Sequence, residues 1–469
     1  MFFEPLSKFH DRVAFIEENA RTYTYAQLLE FGNIVADSVR SRSLLFFVGL
    51  NSASSISGYI GFLQKGVVPL LFRHNISPEH FRNLLSVYKP EYLFIPSSRK
   101  DLAEGTEPLI EAEGYRLCEL KGGVHSELHP DLSLVLMTSG STGSPKLVRL
   151  SGKNILSNAE AIIDYLGITS DDRAITTLPM AYSYGLSIIH SHLLAGATLV
   201  LTDAGLMERR FWDLFKTAKP TTFGGVPYTY EMLKRLRFDK LPLPSLRYLT
   251  QAGGRLSPEL VGEFASICER KGIRFVVMYG QTEATARMAY LPWEKASLKP
   301  SSIGMPIPGG SFSLVDDSDH AIEGADISGE LVYRGPNVSL GYAETRNDLA
   351  KGDENKGVLH TGDIATRDHD GFYYIVGRKK RFLKIFGNRV NLDEIELLIR
   401  ERGIEAACAG KDDLMKVYLT DSQKREEVIS LLAKTTDLNP AAFEIRVIDV
   451  IPRDSSGKVL YSLLERELP

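Results

Sequence analysis

Cysteine and tryptophan are scarce in this sequence of 469 residues, and its net charge is small. It contains three cysteines and two tryptophans, and its formal net charge is −4. Cys118, Cys268 and Cys408 are far apart and lack the close spacing of a metal site, which argues against a disulfide framework or a cysteine metal centre. The slightly acidic balance gives no clustered basic surface, so we expect no nucleic-acid partner.

Long apolar runs are also absent. No stretch reaches the roughly 18 consecutive apolar residues of a membrane-spanning helix. The first ten residues carry charges and have no apolar centre of the kind that marks a secretory signal. Together with the sparse cysteines, this predicts a cytoplasmic protein without a transmembrane segment, either a monomer or a homodimer.

The chain is too long for one compact core. Its pattern of apolar residues and glycines changes at about residue 300 and again at about residue 380. Short apolar or β-branched runs alternate with helical patterns in the middle of the chain, which predicts layered α/β sheets with parallel strands; these runs cover residues 134–137, 174–177, 198–201, 221–223, 247–250 and 275–278. Residues from about 300 to 379 are rich in glycine and short strands. Residues 380–469 have a separate α+β pattern. The predicted fold is α/β, with a large N-terminal domain (1–379) that includes the β-rich subdomain, and a small C-terminal domain.

Two helix starts are marked by local chemistry. Thr24 can cap a helix, because its hydroxyl can accept a hydrogen bond from a backbone N–H of the first turn. Ser77 precedes Pro78 and Glu79, which combines a cap, a proline in the first turn and an acid near the positive end of the helix dipole.

The most informative segment follows the predicted strand at 134–137. It is rich in hydroxyls and glycines and ends in a lysine: Thr138, Ser139, Gly140, Ser141, Thr142, Gly143, Ser144, Pro145 and Lys146. Glycines allow the backbone to approach a ligand closely, and successive amides, hydroxyls and a lysine can bind a polyphosphate. The segment lacks the ending of a Walker A motif. The alternative is an ordinary polar turn between strands.

This string resembles the signature of the adenylate-forming superfamily, which includes acyl-CoA synthetases, peptide-synthetase adenylation domains and luciferase. The family usually has glycine after the lysine, where this chain has Leu147. The resemblance implies that residues 138–143 bind ATP and that Lys146 is catalytic. Further motifs follow in family order over about the last two-thirds of the chain.

A second motif contains Tyr279, Gly280, Gln281, Thr282 and Glu283. A carboxylate beside a triphosphate is unfavourable unless a cation lies between them, and Mg²⁺ with oxygen ligands is the expected cation. The resemblance makes Glu283 the Mg²⁺ ligand and Thr282 a donor to the α-phosphate, with the other three residues near ATP. The alternative is that Glu283 is only an acid at a helix start.

Two further segments are expected at the nucleotide. Ala252, Gly253 and Gly254 follow a strand, and in the family this segment lines the adenine and the acyl pocket. It is also compatible with a simple tight turn. By similarity, Asp363 accepts hydrogen bonds from both ribose hydroxyls, and Arg378 contacts ribose or phosphate. The nearby pair Asp370-Gly371 is expected to be only a hairpin turn.

The C-terminal motifs imply a moving domain. Lys380 matches the hinge of the family, and Gly387 and Arg389 lie in a segment resembling the loop that lines the thiol tunnel. A surface hairpin is the alternative for that loop. Lys458, in a Ser-Gly-Lys context near the C-terminus, resembles the catalytic lysine, although the usual downstream arginine is replaced by Tyr461.

The acyl-binding region is predicted at Tyr182, Ser183, Gly224 and Gly225. Amino-acid-activating relatives place an aspartate where this chain has Ser183, which disfavours an α-amino acid substrate. The two glycines leave room for a larger acyl or aryl group, or they meet backbone requirements only.

These motifs imply an enzyme that uses ATP and Mg²⁺ to convert a carboxylic acid into an acyl-adenylate with release of pyrophosphate. A thiol, either CoA or the phosphopantetheine of a separate acyl carrier protein, then accepts the acyl group. Two alternatives stay open: a nucleotide-binding regulatory relative without ligation activity, and an adenylating enzyme with a non-thiol acceptor.

Overall fold

The computed structural model describes residues 4–124, 127–137, 147–379, 381–385, 388–411, 413–436, 439–453 and 459–466. The β-strands among them, in chain order, are β1 (Val13–Glu17), β2 (Thr22–Thr24), β3 (Leu44–Gly49), β4 (Val68–Arg73), β5 (Tyr92–Pro96), β6 (Pro108–Ala112), β7 (Tyr115–Glu119), β8 (Leu132–Met137), β9 (Leu147–Ser151), β10 (Arg173–Ile175), β11 (Thr198–Leu201), β12 (Thr222–Gly225), β13 (Tyr248–Gln251), β14 (Arg274–Tyr279), β15 (Ala289–Leu291), β16 (Met305–Pro306), β17 (Ser311–Val315), β18 (Ala321–Ile322), β19 (Gly329–Arg334), β20 (Gly341–Ala343), β21 (Val358–Arg367), β22 (Tyr373–Arg378), β23 (Phe382–Ile385), β24 (Asn388–Asn391), β25 (Ala406–Lys411), β26 (Leu414–Leu419) and β27 (Phe443–Val447).

The α-helices of the same residues are α1 (Tyr25–Asp37), α2 (Ala53–Lys65), α3 (Pro78–Tyr88), α4 (Gly152–Leu166), α5 (Ser183–Leu194), α6 (Arg209–Ala218), α7 (Pro227–Arg235), α8 (Pro258–Lys271), α9 (Leu392–Arg400), α10 (Arg425–Thr436) and α11 (Tyr461–Arg466). Both marked helix starts are confirmed. Thr24 forms a reciprocal capping box with Gln27 at the start of α1, and Ser77 caps α3 by accepting a hydrogen bond from the His80 backbone N–H. No helix in the described part of the chain is long and apolar enough to cross a membrane.

Two large sheets form the body of the molecule. One has nine strands in the order β16-β15-β14-β13-β12-β10-β11-β1-β2, and the other has eight in the order β20-β9-β8-β4-β3-β5-β7-β6. Their centres are parallel, as the alternating pattern predicts, but both sheets end in antiparallel pairs such as β8–β9 and β14–β15. The sequence pattern did not indicate these edges, because short strands joined by short connections carry little helical signal between them.

The helices form three layers around these sheets. The central core contains apolar side chains of α1, α2, α4 and α5 between the two sheets. A second core packs α6, α7 and α8 on the outer face of the nine-stranded sheet, and a third packs α3 on the outer face of the eight-stranded sheet. The predicted α/β fold of layered sheets is therefore confirmed.

The β-rich and C-terminal patterns also fold as predicted. Strands β17 to β19, β21 and β22 form a five-stranded antiparallel sheet, and the turn at Asp370-Gly371 connects β21 to β22 with Gly371 at φ 84°. Residues 383–445 contribute a core cluster of their own around β25, β26, β27 and α9. The division into domains at residue 380 stays a prediction.

Candidate active site

A cavity of about 680 Å³ opens at the carboxyl ends of the parallel strands. Arg73 of β4, Gln251 of β13 and Tyr279 of β14 reach it from the two large sheets. The antiparallel sheet contributes Asp363, and helix α9 closes the rim with Arg400. Open α/β sheets bind ligands at this end of their parallel strands, so the cavity is the candidate active site.

Asp363 is the centre of a hydrogen-bonded cluster in the cavity wall. Its side chain is buried, with 3% of the residue's surface exposed. Tyr279 donates its hydroxyl to Oδ2, and Gln281 Nε2 donates to the same oxygen at 3.0 Å. The guanidinium of Arg378 lies 3.0 Å from the other carboxylate oxygen. Asp363 and Arg378 are also direct partners across β21 and β22. The motif at 279–283 and the Asp363–Arg378 pair, about 80 positions apart in the chain, therefore meet at one carboxylate.

The carboxylate of Asp363 helps to keep both of its neighbours, Arg378 and Tyr279, in their protonated forms. The carboxylate of Asp363 raises the pKa of Arg378, so the guanidinium stays positive. Burial, together with that same carboxylate, raises the pKa of Tyr279 well above its usual value, so its hydroxyl remains a hydrogen-bond donor. The arrangement gives a fixed pair of acceptor oxygens beside a positive charge, which suits a diol that carries a phosphate.

Thr282 and Glu283 lie next to this cluster on a single 3₁₀ turn, Thr282–Ala284. The Thr282 hydroxyl is 3.1 Å from the hydroxyl of Ser183, the first residue of α5. Glu283 Oε1 accepts a hydrogen bond from the Tyr342 hydroxyl at 2.8 Å. The structure assigns no hydrogen bond from a described residue to Glu283 Oε2, and this oxygen is a suitable ligand atom for Mg²⁺.

The turn after β13 is shaped by one glycine. Gly253 has a φ of 81°, and a Cβ there would lie 2.2 Å from the Tyr182 hydroxyl. Gln251 Nε2 donates to the Gly254 carbonyl oxygen at 2.9 Å, which fixes the turn. Ala252, Gly253 and Gly254 all line the cavity, and Tyr182 packs against them. The segment therefore lies in the cavity wall, and its contact with adenine stays a prediction.

The residues predicted for the acyl region separate into two groups. Tyr182 and Ser183 line the cavity. Gly224 and Gly225 are not part of its lining, since a Cβ on either would meet packed side chains: Ile188 at 2.7 Å from Gly224 and Thr229 at 2.5 Å from Gly225. The packing thus favours the alternative that these two glycines satisfy close contacts within the fold.

Residues 378–381 are all basic, and those that the structure describes are neutralised by acids. Lys379 Nζ lies 2.8 Å from Glu330, and Arg381 forms ion pairs with Asp393 and Glu396 of α9. Each cation of the run that the structure describes thus has an acidic partner. Glu330 belongs to the antiparallel sheet, whereas α9 belongs to the C-terminal part of the chain.

Several predicted residues lie outside the described residues. They are Thr138, Ser139, Gly140, Ser141, Thr142, Gly143, Lys146, Lys380, Gly387 and Lys458. Arg389 lies in β24. The two strands that flank the 138–146 segment pair antiparallel, with Met137 opposite Leu147, and Met137 lines the cavity. Met137, the described residue that precedes the expected phosphate segment, therefore lies at the cavity wall.

Sequence reasoning missed two residues of the site. Tyr342 lies 59 positions from Glu283, and no motif links the two. Arg287 lines the cavity and is buried, with 2% of its surface exposed. It follows the Thr282-Glu283 motif closely, but its burial, which is unusual for a charged residue, shows only in the structure.

Comparison with known proteins identifies relatives of the chain. The profile of the family described as "AMP-binding enzyme" matches residues 2–343. An indoleacetate–CoA ligase from Aromatoleum aromaticum is 30% identical, over 97% of this chain and 96% of that protein. The structure of o-succinylbenzoate CoA synthetase from Bacillus subtilis in complex with its acyl-adenylate intermediate superimposes with a TM-score of 0.79 at 24% identity, covering 99% of this chain and 98% of that one. The same enzyme in complex with ATP and magnesium gives a TM-score of 0.77 at 23% identity, with 98% of each chain covered.

Proposed function

This chain belongs to the family of AMP-binding enzymes, and from that premise we propose that it is an AMP-forming acid–thiol ligase. It activates a carboxylic acid with ATP as an acyl-adenylate, releases pyrophosphate and passes the acyl group to the thiol of CoA. The observation that carries the proposal is the convergence of Tyr279, Gln281 and Arg378 on the buried carboxylate of Asp363 in the cavity wall.

The nucleotide is held by groups on both sides of the cavity. Asp363 accepts hydrogen bonds from the ribose hydroxyls while Arg378 adds a positive charge beside it. The turn at Ala252, Gly253 and Gly254 supports the adenine, because a backbone without bulky side chains gives a flat contact surface. The segment 138–146 and Lys146 bind the phosphates, as their composition predicts.

Glu283 is the candidate Mg²⁺ ligand. Its oxygen chemistry fits a hard cation, and the hydrogen bond from Tyr342 orients the carboxylate while Oε2 remains available. A Mg²⁺ ion there would supply positive charge between this carboxylate and the phosphates of ATP.

In the first step, a carboxylate oxygen of the acid attacks the α-phosphorus of ATP. A new P–O bond forms as the bond to pyrophosphate breaks. Two anions approach each other, so the enzyme contributes mainly positioning and charge stabilisation. Thr282, held by Ser183, donates to the α-phosphate, and Lys458 supplies a positive charge to the transition state.

In the second step, the thiol attacks the acyl carbonyl, the thioester bond forms and AMP leaves with the bonding electrons. We assign the exchange between the two steps to a mobile C-terminal domain, residues 380–469, that turns about Lys380. The separate core of residues 383–445 supports this assignment, as do the ion pairs that anchor Lys379 to Glu330 and Arg381 to α9. We assign the thiol side of this second step to Gly387 and Arg389, as the resemblance implies.

The proposal also covers the acyl acceptor, the class of acid and the cellular location. CoA is the acceptor named for the indoleacetate relative, and a separate acyl carrier protein with the same phosphopantetheine thiol is the other candidate. Ser183, which occupies the place of an aspartate in amino-acid-activating relatives, argues against an α-amino acid. We place the enzyme in the cytoplasm, as a monomer or homodimer.

An acid-dependent exchange assay tests the proposal. The purified chain is incubated with ATP, Mg²⁺, labelled pyrophosphate and a panel of carboxylic acids, and CoA is then added for mass analysis of the products. Acid-dependent exchange and a CoA thioester are expected. ATP binding without exchange for any acid would instead indicate a regulatory nucleotide-binding protein. Exchange without consumption of the adenylate by CoA would indicate another acceptor.

A further inference from the structure

Arg287 places an isolated positive charge in the wall of the active-site cavity. Its Nε donates to the Ser187 hydroxyl at 3.1 Å, and Nη1 donates to the Tyr165 hydroxyl at 3.1 Å and contacts Met278 Sδ at 3.0 Å. The guanidinium carbon lies 5.0 Å from the centre of the Tyr184 ring. These contacts fix the plane of the guanidinium and leave Nη2 without a hydrogen-bond acceptor among the described residues.

No carboxylate in the described part of the chain forms an ion pair with this guanidinium. Burial raises the pKa of both Tyr165 and Tyr184, so neither phenol supplies a negative charge. Arginine keeps its proton in proteins. A buried charge is costly unless it is paired, and removing its partner leaves that cost uncompensated. The protein therefore holds a desolvated cation whose natural counter-ion is an anion that enters the cavity.

Helix α5 links Arg287 to Thr282, which we place at the reacting α-phosphate, and so gives the distance between them. Ser183 touches Thr282, and Ser187, one helical turn further along α5, accepts the hydrogen bond from Arg287. The four residues from Ser183 to Ser187 advance about 6 Å along the helix, a distance spanned by roughly four or five carbon–carbon bonds. An acid whose reacting carboxylate lies near Thr282 would therefore present the far end of a short chain to Arg287.

We propose that Arg287 binds a second carboxylate of the substrate, and that the acid activated by this enzyme is a short-chain dicarboxylic acid. The inference rests on the proposed adenylation of an acid in this cavity and specifies the class of that acid. Nη2 carries two N–H bonds that can donate to a carboxylate, and such charge-assisted hydrogen bonds are short and directional. Arg287 is thus a specificity-determining residue, and monocarboxylic acids of the same length leave its charge unpaired.

The experiment compares acids that differ only at the far end. Linear dicarboxylic acids of three to seven carbons are each tested against their monomethyl esters and the monocarboxylic acids of equal length, by pyrophosphate exchange and by calorimetric titration in the presence of AMP. The variants are Arg287→Met, which keeps length and removes charge, and Arg287→Lys. Arg274→Met is the matched control, because Arg274 also lies over a tyrosine ring, with its guanidinium carbon 5.4 Å from the centre of Tyr248, but does not line the cavity.

The wild-type enzyme is expected to prefer one dicarboxylic acid over its monomethyl ester by at least about tenfold in kcat/KM. Arg287→Met should remove or reverse that preference without changing the KM for ATP, Arg287→Lys should retain part of it, and Arg274→Met should leave it intact. A preference of the wild type for the esters or monocarboxylic acids would overturn the inference but leave the ligase proposal standing.

The titration keeps the two proposals distinguishable. If no acid supports exchange, the ligase proposal fails, and the titration alone decides whether the cavity binds dicarboxylates through Arg287. Equal binding of a dicarboxylic acid to the wild type and Arg287→Met, or no binding to either, would overturn the inference.

Discussion

The Tyr342 hydroxyl donates a hydrogen bond to Glu283 Oε1 at 2.8 Å, across 59 positions of sequence. Burial and the neighbouring carboxylate raise the pKa of Tyr342, so its proton is retained at any ordinary assay pH. The bond fixes the orientation of the carboxylate that we assign to Mg²⁺. We expect Tyr342→Phe to increase the Mg²⁺ concentration for half-maximal pyrophosphate exchange by about fivefold to tenfold, the loss of roughly one hydrogen bond.

The control for this variant is Tyr228→Phe. Tyr228 is 54% exposed and does not line the cavity. Its replacement should leave the Mg²⁺ requirement unchanged. If Tyr342→Phe also left it unchanged, the hydrogen bond would have no part in holding the metal, and Glu283 would lose the structural support for its assignment.

Gly253→Ala tests the contact between the turn after β13 and Tyr182. The added methyl group would lie 2.2 Å from the Tyr182 hydroxyl, and the φ of 81° adds a backbone cost of about 1 kcal/mol. We expect the kcat/KM for the acid to fall at least about tenfold, because the Tyr182 ring must move. In a Tyr182→Phe background the hydroxyl is absent, and most of that loss should disappear. Steady-state kinetics of the double-mutant cycle measure the coupling.

Gly309→Ala is the control that separates the cost of backbone strain from the steric clash with Tyr182. Gly309 has a φ of 80°, nearly that of Gly253, but a Cβ there has no neighbour within 4 Å. It should lower the thermal stability by a similar backbone cost and leave the kinetics unaffected. Identical kinetic effects at the two glycines would show that the Tyr182 contact is unimportant.

Two buried histidines of α5 should make stability depend on pH. Burial lowers the pKa of His190 to about 3 and that of His192 to about 4. Below the unfolded-state pKa of about 6.5, the unfolded chain binds protons that the folded protein excludes. The free energy of unfolding therefore rises with pH, and each histidine contributes up to about 1.4 kcal/mol per pH unit between its folded pKa and about pH 6.5.

Urea unfolding measures this dependence when it is repeated from about pH 4.5 to about pH 7.5, where the unfolded histidines lose their protons. Replacing His192 with Gln should flatten the slope by about 1 kcal/mol per pH unit, since one titrating group is removed. The exposed His369, whose side chain is 88% accessible, provides the control His369→Gln, which should leave the slope as in the wild type. An unchanged slope for His192→Gln would contradict the burial of a neutral imidazole at this position.

Lys458→Ala should separate the two chemical steps. A positive charge that acts only while pyrophosphate leaves is needed for adenylation, so its removal should lower that rate by about 10²–10³. Thioester formation from supplied acyl-adenylate should change less than about tenfold, because the lysine has been withdrawn by then. Single-turnover assays of each step measure the two rates, with Lys424→Ala as control, because Lys424 pairs with Glu427 and does not line the cavity. Equal losses in both steps would contradict the moving C-terminal domain.

Much of the fold could be predicted from the sequence because its signals are local. The apolar runs at 198–201 and 275–278 became β11 and β14, and Thr24 and Ser77 begin helices as their chemistry indicates. Local patterns could not reveal the antiparallel edges. Pairing such as that between β9 and β20 joins segments far apart in the chain, and its determinants lie in tertiary packing.

The site was predictable where a motif is continuous. Asp363, Gln281 and Thr282 line one cavity, as expected. The acyl region was harder, because a glycine looks the same whether its missing side chain leaves space for a ligand or for Ile188 of the fold. Arg287 was missed because its distinguishing feature is that no carboxylate among the described residues forms an ion pair with it. The sequence alone does not show which charged side chains lack such a partner.

The family profile ends at residue 343, yet the cavity wall continues through Asp363 and Arg378 to Leu460. A fragment that stops at 343 would retain Thr282 and Arg287 while lacking Asp363, the carboxylate to which we assign the ribose hydroxyls. Such a fragment would match the family profile, and we expect it to have no catalytic activity.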